Sequence, residues 1–131
     1  VELNDLLEGV DEPTRVFSLN PASDDGSKLE KRKDGITIKI LSPLSSVEDL
    51  EMYLLTFEPN STLASEPHVA GSQEYLTVVK GSVDVRAGEN SAYLKPGDFL
   101  MYHADIEHSI SNQSGKEAVV HMVVRFSSDI R

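Results

Sequence analysis

The chain has 131 residues, 39% hydrophobic and 26% charged, with 22 acidic against 12 basic side chains, a formal charge of −10 and no cysteine. That length suits one core of ordinary size, no apolar run approaches the roughly 20 residues that span a bilayer, and the absent cysteines exclude disulfides and thiolate metal sites. The acidic balance excludes this chain, by itself, as a clamp on a nucleic-acid backbone, which needs clustered Lys and Arg. Residues 1–5 lack the charged start and apolar stretch of a secretory signal, and with no cysteine in the chain the expected location is the cytoplasm, without a membrane partner.

Leu3, Leu6 and Leu7 fall at i, i+3 and i+4, with Gly9 where a helix would stop and Pro13 shortly after. A helix this short is not stable alone in water. Residues 1–12 therefore read as the end of a helix and linker from an N-terminal domain missing from this chain, and residues 13–131 as one β domain. Residues 20–35 are polar and turn-rich, and read as linker or exposed loop.

From Ile36 the pattern has period two: Ile36, Ile38 and Ile40 alternate with Thr37 and Lys39, which predicts a half-buried strand and the start of the β region. Residues 50–57 read as a strand from their aromatic content and the Pro59-Asn60 break that follows. Further strands are predicted over 74–79, around Val83 and Val85, over 92–94 and over 99–102, separated by Lys80-Gly81-Ser82, Gly88-Glu89-Asn90 and Pro96-Gly97-Asp98. The last strand pair is joined through residues 112–116. Beyond it Ala118, Val120, Met122, Val124 and Phe126 form one face of the clearest alternation in the chain. Many short strands at such spacing predict an all-β sandwich or barrel without internal helices.

His68 and Glu74 are six positions apart and would share a face of a continuous strand. Together with His108 they offer two imidazoles and one carboxylate, a donor set that suits Zn, Ni, Mn or Fe and leaves positions open for water or ligand. The bland alternative is a pair of solvated histidines and a carboxylate at a barrel mouth. Tyr53, Tyr75, Arg86, His103 and Met122 are candidates for ligand contacts, Arg86 because a guanidinium clamps a carboxylate in bidentate fashion. No nucleophile and base pair, phosphate loop or nucleic-acid motif is present in the sequence.

The spacing resembles that of the cupins, small β-barrels defined by two short motifs. His68, Glu74 and Gly81 fall at the positions of the first motif (His-x-His, three or four residues, Glu, six residues, Gly), but Ala70 stands where its second histidine is expected. His108 and Asn112 fall at those of the second motif (Pro-x-Gly, two residues, His, three residues, Asn), with His103 and Asp105 in place of its proline and glycine. The resemblance implies a cupin-type double-stranded β-helix, or jelly-roll barrel, and a metal site reduced to His68, Glu74 and His108. With three protein ligands it would hold a divalent metal or remain a metal-free pocket.

A narrower resemblance runs from Leu3 to Phe126. It is similar to the C-terminal sensor half of bacterial regulators that join an XRE-type helix-turn-helix domain to a cupin, and the Pro67-His68-Val69-Ala70-Gly71-Ser72-Gln73-Glu74 segment carries it. That resemblance implies a small-molecule effector in the barrel, a homodimer paired through strand edges and flanking segments, and DNA contact only through the missing domain. The alternative is a stand-alone small metal-dependent cupin enzyme, such as a dioxygenase or isomerase.

Overall fold

The computed structural model describes residues 30–42 and 49–126, together with residues 15, 17–19 and 21. The helix expected over residues 3–7, and with it the proposed boundary after residue 12, lies outside the described residues. Ten strands follow one another in the chain: β1 (Glu30–Lys33), β2 (Ile36–Ile40), β3 (Leu50–Phe57), β4 (Ser61–Ser65), β5 (Gln73–Lys80), β6 (Val83–Ala87), β7 (Asn90–Leu94), β8 (Phe99–His103), β9 (His108–Asn112) and β10 (Ala118–Arg125). No helix among the described residues is long and apolar enough to cross a membrane.

The strands form two antiparallel sheets, one in the order β1-β2-β3-β10-β5-β8 and one in the order β4-β9-β6-β7. Sequential neighbours such as β4 and β5 belong to different sheets, so the chain crosses repeatedly between layers, as in a jelly roll. Alternation decides which residues meet between the sheets. Leu55 and Phe57 of β3, Leu76 and Val78 of β5, and Val120 and Val124 of β10 point inward from the large sheet; Val83, Val85 and Ile110 meet them from the small one. Burying each such Leu, Ile or Phe is worth about 1.5–3 kcal/mol.

The β region starts earlier than the apolar pattern suggests. Residues 30–33, expected to be loop, form β1 and pair with β2 through a two-residue turn in which Asp34 and Gly35 have φ of 53° and 81°. Two consecutive positive φ angles are the signature of a type I′ hairpin, which Asp-Gly favours. β1 is hidden from an apolar reading because its four side chains are all charged and exposed.

Two motif residues prove to be structural. Gly81, at φ +73°, turns β5 into β6 so close to β10 that an added Cβ would lie 2.5 Å from the Glu117 carbonyl oxygen. Asn112, fully buried, donates to the carbonyls of Phe57, Glu58 and Lys116 and accepts from the Ser114 backbone and hydroxyl. It ties the β3–β4 turn to the β9–β10 turn and holds no position near the histidines.

Candidate metal and ligand site

Two loops at one end of the barrel hold the site together. His68 lies in the loop between β4 and β5, and its backbone N–H donates to the Ala104 carbonyl at 2.8 Å. Ala104 in turn donates to the Ser72 carbonyl at 2.7 Å, and Gly71 donates its N–H to the Asp105 carboxylate at 2.8 Å. Asp105, which replaces the glycine of the second motif, thus ties that motif to the first. Glu74 points inward from β5 and His108 inward from the start of β9, with side chains 3% and 2% exposed; that of His68 is 32% exposed. His68 is the open side of the site.

The three donors converge. His68 Nε2 is 3.0 Å and His108 Nε2 3.2 Å from the same Glu74 oxygen, Oε2, and all three ligand atoms lie within 4.8 Å of one another. The two imidazole rings meet edge to face with centroids 5.0 Å apart. His108 Nδ1 is 2.7 Å from the Ile106 carbonyl oxygen, which can only accept, so Nδ1 carries a proton. In the neutral ring, Nε2 then presents a bare lone pair to a carboxylate oxygen. His108 Nε2 is buried and makes no hydrogen bond. Two acceptors facing each other at that distance in a dry site are stabilised by a cation between them, and the donor set therefore fits a divalent metal. Ala70, exposed in the loop, offers no further ligand.

The other Glu74 oxygen is already engaged. The Tyr102 hydroxyl donates to Glu74 Oε1, and the β5–β8 register places the two residues directly opposite. Burial, and then the Glu74 charge, push the Tyr102 phenol well above its ordinary value. Tyr53, half-buried on β3, donates to the Glu51 carboxylate; burial first, then Glu51, raise its phenol too. Both hydroxyls stay protonated throughout the neutral range. Phe126 flanks the open side, its ring 6.3 Å from that of His68.

Of the five candidate ligand contacts, Tyr53 and Met122 are cross-strand partners on the inward face, one rung from the pair formed by Glu51 and Val124. Tyr75, Arg86 and His103 point outward. Tyr75 follows Glu74 directly and so faces the opposite side, where it stacks on Phe99 and donates to Gln73. Arg86 lines a groove of about 450 Å³ on the outer face of the small sheet, and His103 a cleft of about 390 Å³ between β7 and β8. The residues absent from the sequence reading of the site are Glu51, Tyr102 and Phe126. Position alone brings them in: Tyr102 through β5–β8 pairing, Phe126 just past the end of β10, and Glu51 on β3 opposite Val124 of β10.

The comparisons with known proteins fit this architecture. A cupin regulator domain from Enterobacter cloacae, titled as the Cupin_2 domain of an XRE family transcriptional regulator, superposes with a TM-score of 0.67 at 20% identity over 71% of this chain and 98% of that one. An HTH_3 family transcriptional regulator from Vibrio cholerae gives 0.66 at 25% identity over 71% of this chain and 52% of its own length, so the chain spans about half of that protein. A structure from Silicibacter pomeroyi, titled as a sugar phosphate isomerase from a cupin superfamily, gives 0.59 at 19% identity over 71% of this chain and 60% of that one. A search of the curated proteins finds none that matches. The family profile described as "Cupin domain" matches residues 53–124, which include every strand from β4 to β9 and most of β3 and β10, and on that match the chain belongs to the cupin family.

Proposed function

We propose that this cupin is the ligand-sensing domain of a transcriptional regulator: a small metabolite enters the barrel past His68 and Phe126, and its binding alters DNA affinity through a helix-turn-helix domain outside this chain. The likeness to regulator cupins supports the setting. The domain division after residue 12, a homodimer and a cytoplasmic location belong to the same reading.

The observation that carries it is the chemistry of the interior. The ligand atoms of His68, Glu74 and His108 converge on one point, while the hydroxyls nearest them are committed to Glu51 and Glu74 and kept protonated by burial. Such an interior holds a cation and a ligand but provides no phenolate base near neutral pH. When bound, a divalent ion such as Zn, Ni, Mn or Fe supplies positive charge with positions open to an oxygen donor of the effector. Tyr102 fixes Glu74 so that Oε2 faces the histidines, the Ile106 carbonyl fixes the His108 tautomer, and Tyr53 and Met122 form the apolar and polar wall beside them. Effector binding transmits a signal only if the ligand prefers one of two arrangements of the full protein.

The second reading, a metal-dependent cupin enzyme, is favoured by the likeness to the Silicibacter pomeroyi isomerase. A metabolite screen by thermal shift, with each hit then incubated with the metal-loaded protein, separates the two, since a ligand that binds only the folded state raises its stability. A stabilising compound recovered unchanged supports the sensor; one converted to product overturns it in favour of the enzyme.

A further inference from the structure

The two outer faces of the sandwich differ in chemistry. On the small sheet the outward rung Thr62, Ser111, Asp84 and Tyr93 is polar, with the Thr62 and Ser111 hydroxyls 3.0 Å apart, as expected of a sheet facing water. On the large sheet one such rung is predominantly apolar and the next is mixed, with apolar side chains at Leu54 and Phe99. One runs Met52, Val123, Tyr75, Met101; the next runs Lys39, Leu54, His121, Thr77, Phe99. Phe99 is 61% exposed, Val79 57% and Met101 44%. Contiguous apolar surface of this kind marks an interaction site rather than scattered exposed hydrophobes.

We propose that this outer face of the large sheet is where two copies of the chain pack, sheet against sheet, about a twofold axis near β10. The inference rests on the homodimer reading above and names its surface. Charge selects a second copy as the occupant. In a chain with 22 acidic residues and a formal charge of −10, the outward positions of β2, β3, β10, β5 and β8 contain no Asp or Glu; their fixed charges are Lys39, Arg125 and, at the end of β5 opposite Val119, Lys80. Two strongly acidic bodies thus meet on a face whose five strands present no carboxylate, which limits self-repulsion there.

The area is sufficient. Five strands at about 4.8 Å spacing and up to eight residues at about 3.3 Å each cover on the order of 600 Å² in projection. Side-chain relief raises the accessible area toward the roughly 800 Å² per partner of a standard interface. β10 is the middle of these five strands, so an isologous contact sets it across its own copy. The β1 edge of this sheet is less suited to pairing: it exposes Glu30, Lys31, Arg32 and Lys33 in succession, a charged border of the kind that discourages strand addition.

The test is the molar mass of the whole chain by sedimentation equilibrium at micromolar concentration. The wild type is expected at twice its 14.4 kDa. Val123→Glu and Val123→Lys, each with wild-type circular dichroism, are expected to be monomers alone and to recover the dimer when mixed, because the opposite charges meet across the axis. Met101→Glu, on the exposed margin of the face, is expected to weaken the dimer at least tenfold, and Tyr93→Glu, on the small sheet, to leave it unchanged. A monomeric wild type overturns both the homodimer reading and the surface. A wild-type dimer that persists in Val123→Glu and Met101→Glu overturns the surface alone.

Discussion

Tyr102 and Glu74 sit opposite one another on β8 and β5, and the tyrosine hydroxyl donates to Glu74 Oε1 while Oε2 turns to His68 and His108. The two oxygens of a buried carboxylate are thereby given different partners, one the tyrosine and the other the imidazoles. The division is what gives the donor set a single focus, and it rests on a pairing between strands that are 28 residues apart.

Removing that hydroxyl leaves a buried carboxylate oxygen without its donor. Tyr102→Phe is expected to lose roughly 1–3 kcal/mol of stability in urea denaturation. It should also weaken divalent metal binding by about 10–100-fold in a chelator competition, the usual effect of losing a group that orients a ligand. Wild-type affinity in the folded variant would mean that Tyr102 is only a core residue.

Asn112 and the histidines belong to the same motif and differ in role. Asn112→Ala strips donors from three backbone carbonyls and an acceptor from Ser114, so a loss of roughly 2–3 kcal/mol is expected. Metal uptake per folded molecule should not change. A variant as stable as wild type by urea denaturation contradicts the structural role.

Gly81→Ala meets two obstacles at once: a φ of +73° and a carbonyl oxygen 2.5 Å from the new Cβ. Neither yields without moving the β5–β6 turn away from β10. A loss above about 2 kcal/mol, or failure to fold, is expected. An unchanged melting temperature would show that the turn adapts freely.

The raised phenols of Tyr53 and Tyr102 set an alkaline limit. In the unfolded chain both ionise near the ordinary pH of about 10, whereas in the folded chain they keep their protons to higher pH. The native state therefore binds more protons above that point, and stability, fully present below about pH 10, falls as pH rises toward the folded values. The slope is at most about 1.4 kcal/mol per pH unit for each tyrosine. Absorbance titration should show two of the four tyrosines resisting ionisation until the protein unfolds. Four normal titrations would remove the basis for this limit.

The parts of the fold visible in the sequence are those where one face is wet and the other dry. β10 has one strictly apolar face, and β2 alternates Ile36, Ile38 and Ile40, so periodicity reports both strands. β1 is wet on both faces and β4, Ser-Thr-Leu-Ala-Ser, is short with a single large apolar side chain, so neither gives a periodic signal. Within the site, motif spacing brings out His68, Glu74 and His108 because the spacing itself encodes the barrel geometry. Tyr75 could have been assigned outward from its place next to Glu74, by parity alone. Tyr102 could not, because Phe99-Leu100-Met101-Tyr102-His103 has no polar alternation and its register against β5 is a long-range fact.

Direct metal stoichiometry tests whether His68, Glu74 and His108 form one divalent-cation site. Chain purified without chelator, or stripped and titrated with Zn, Ni, Mn or Fe, is expected to hold one ion per chain. His108→Ala, folded by circular dichroism, is expected to hold none. No uptake by the wild type, or one ion retained in His108→Ala, would show that these three side chains do not form a cation site.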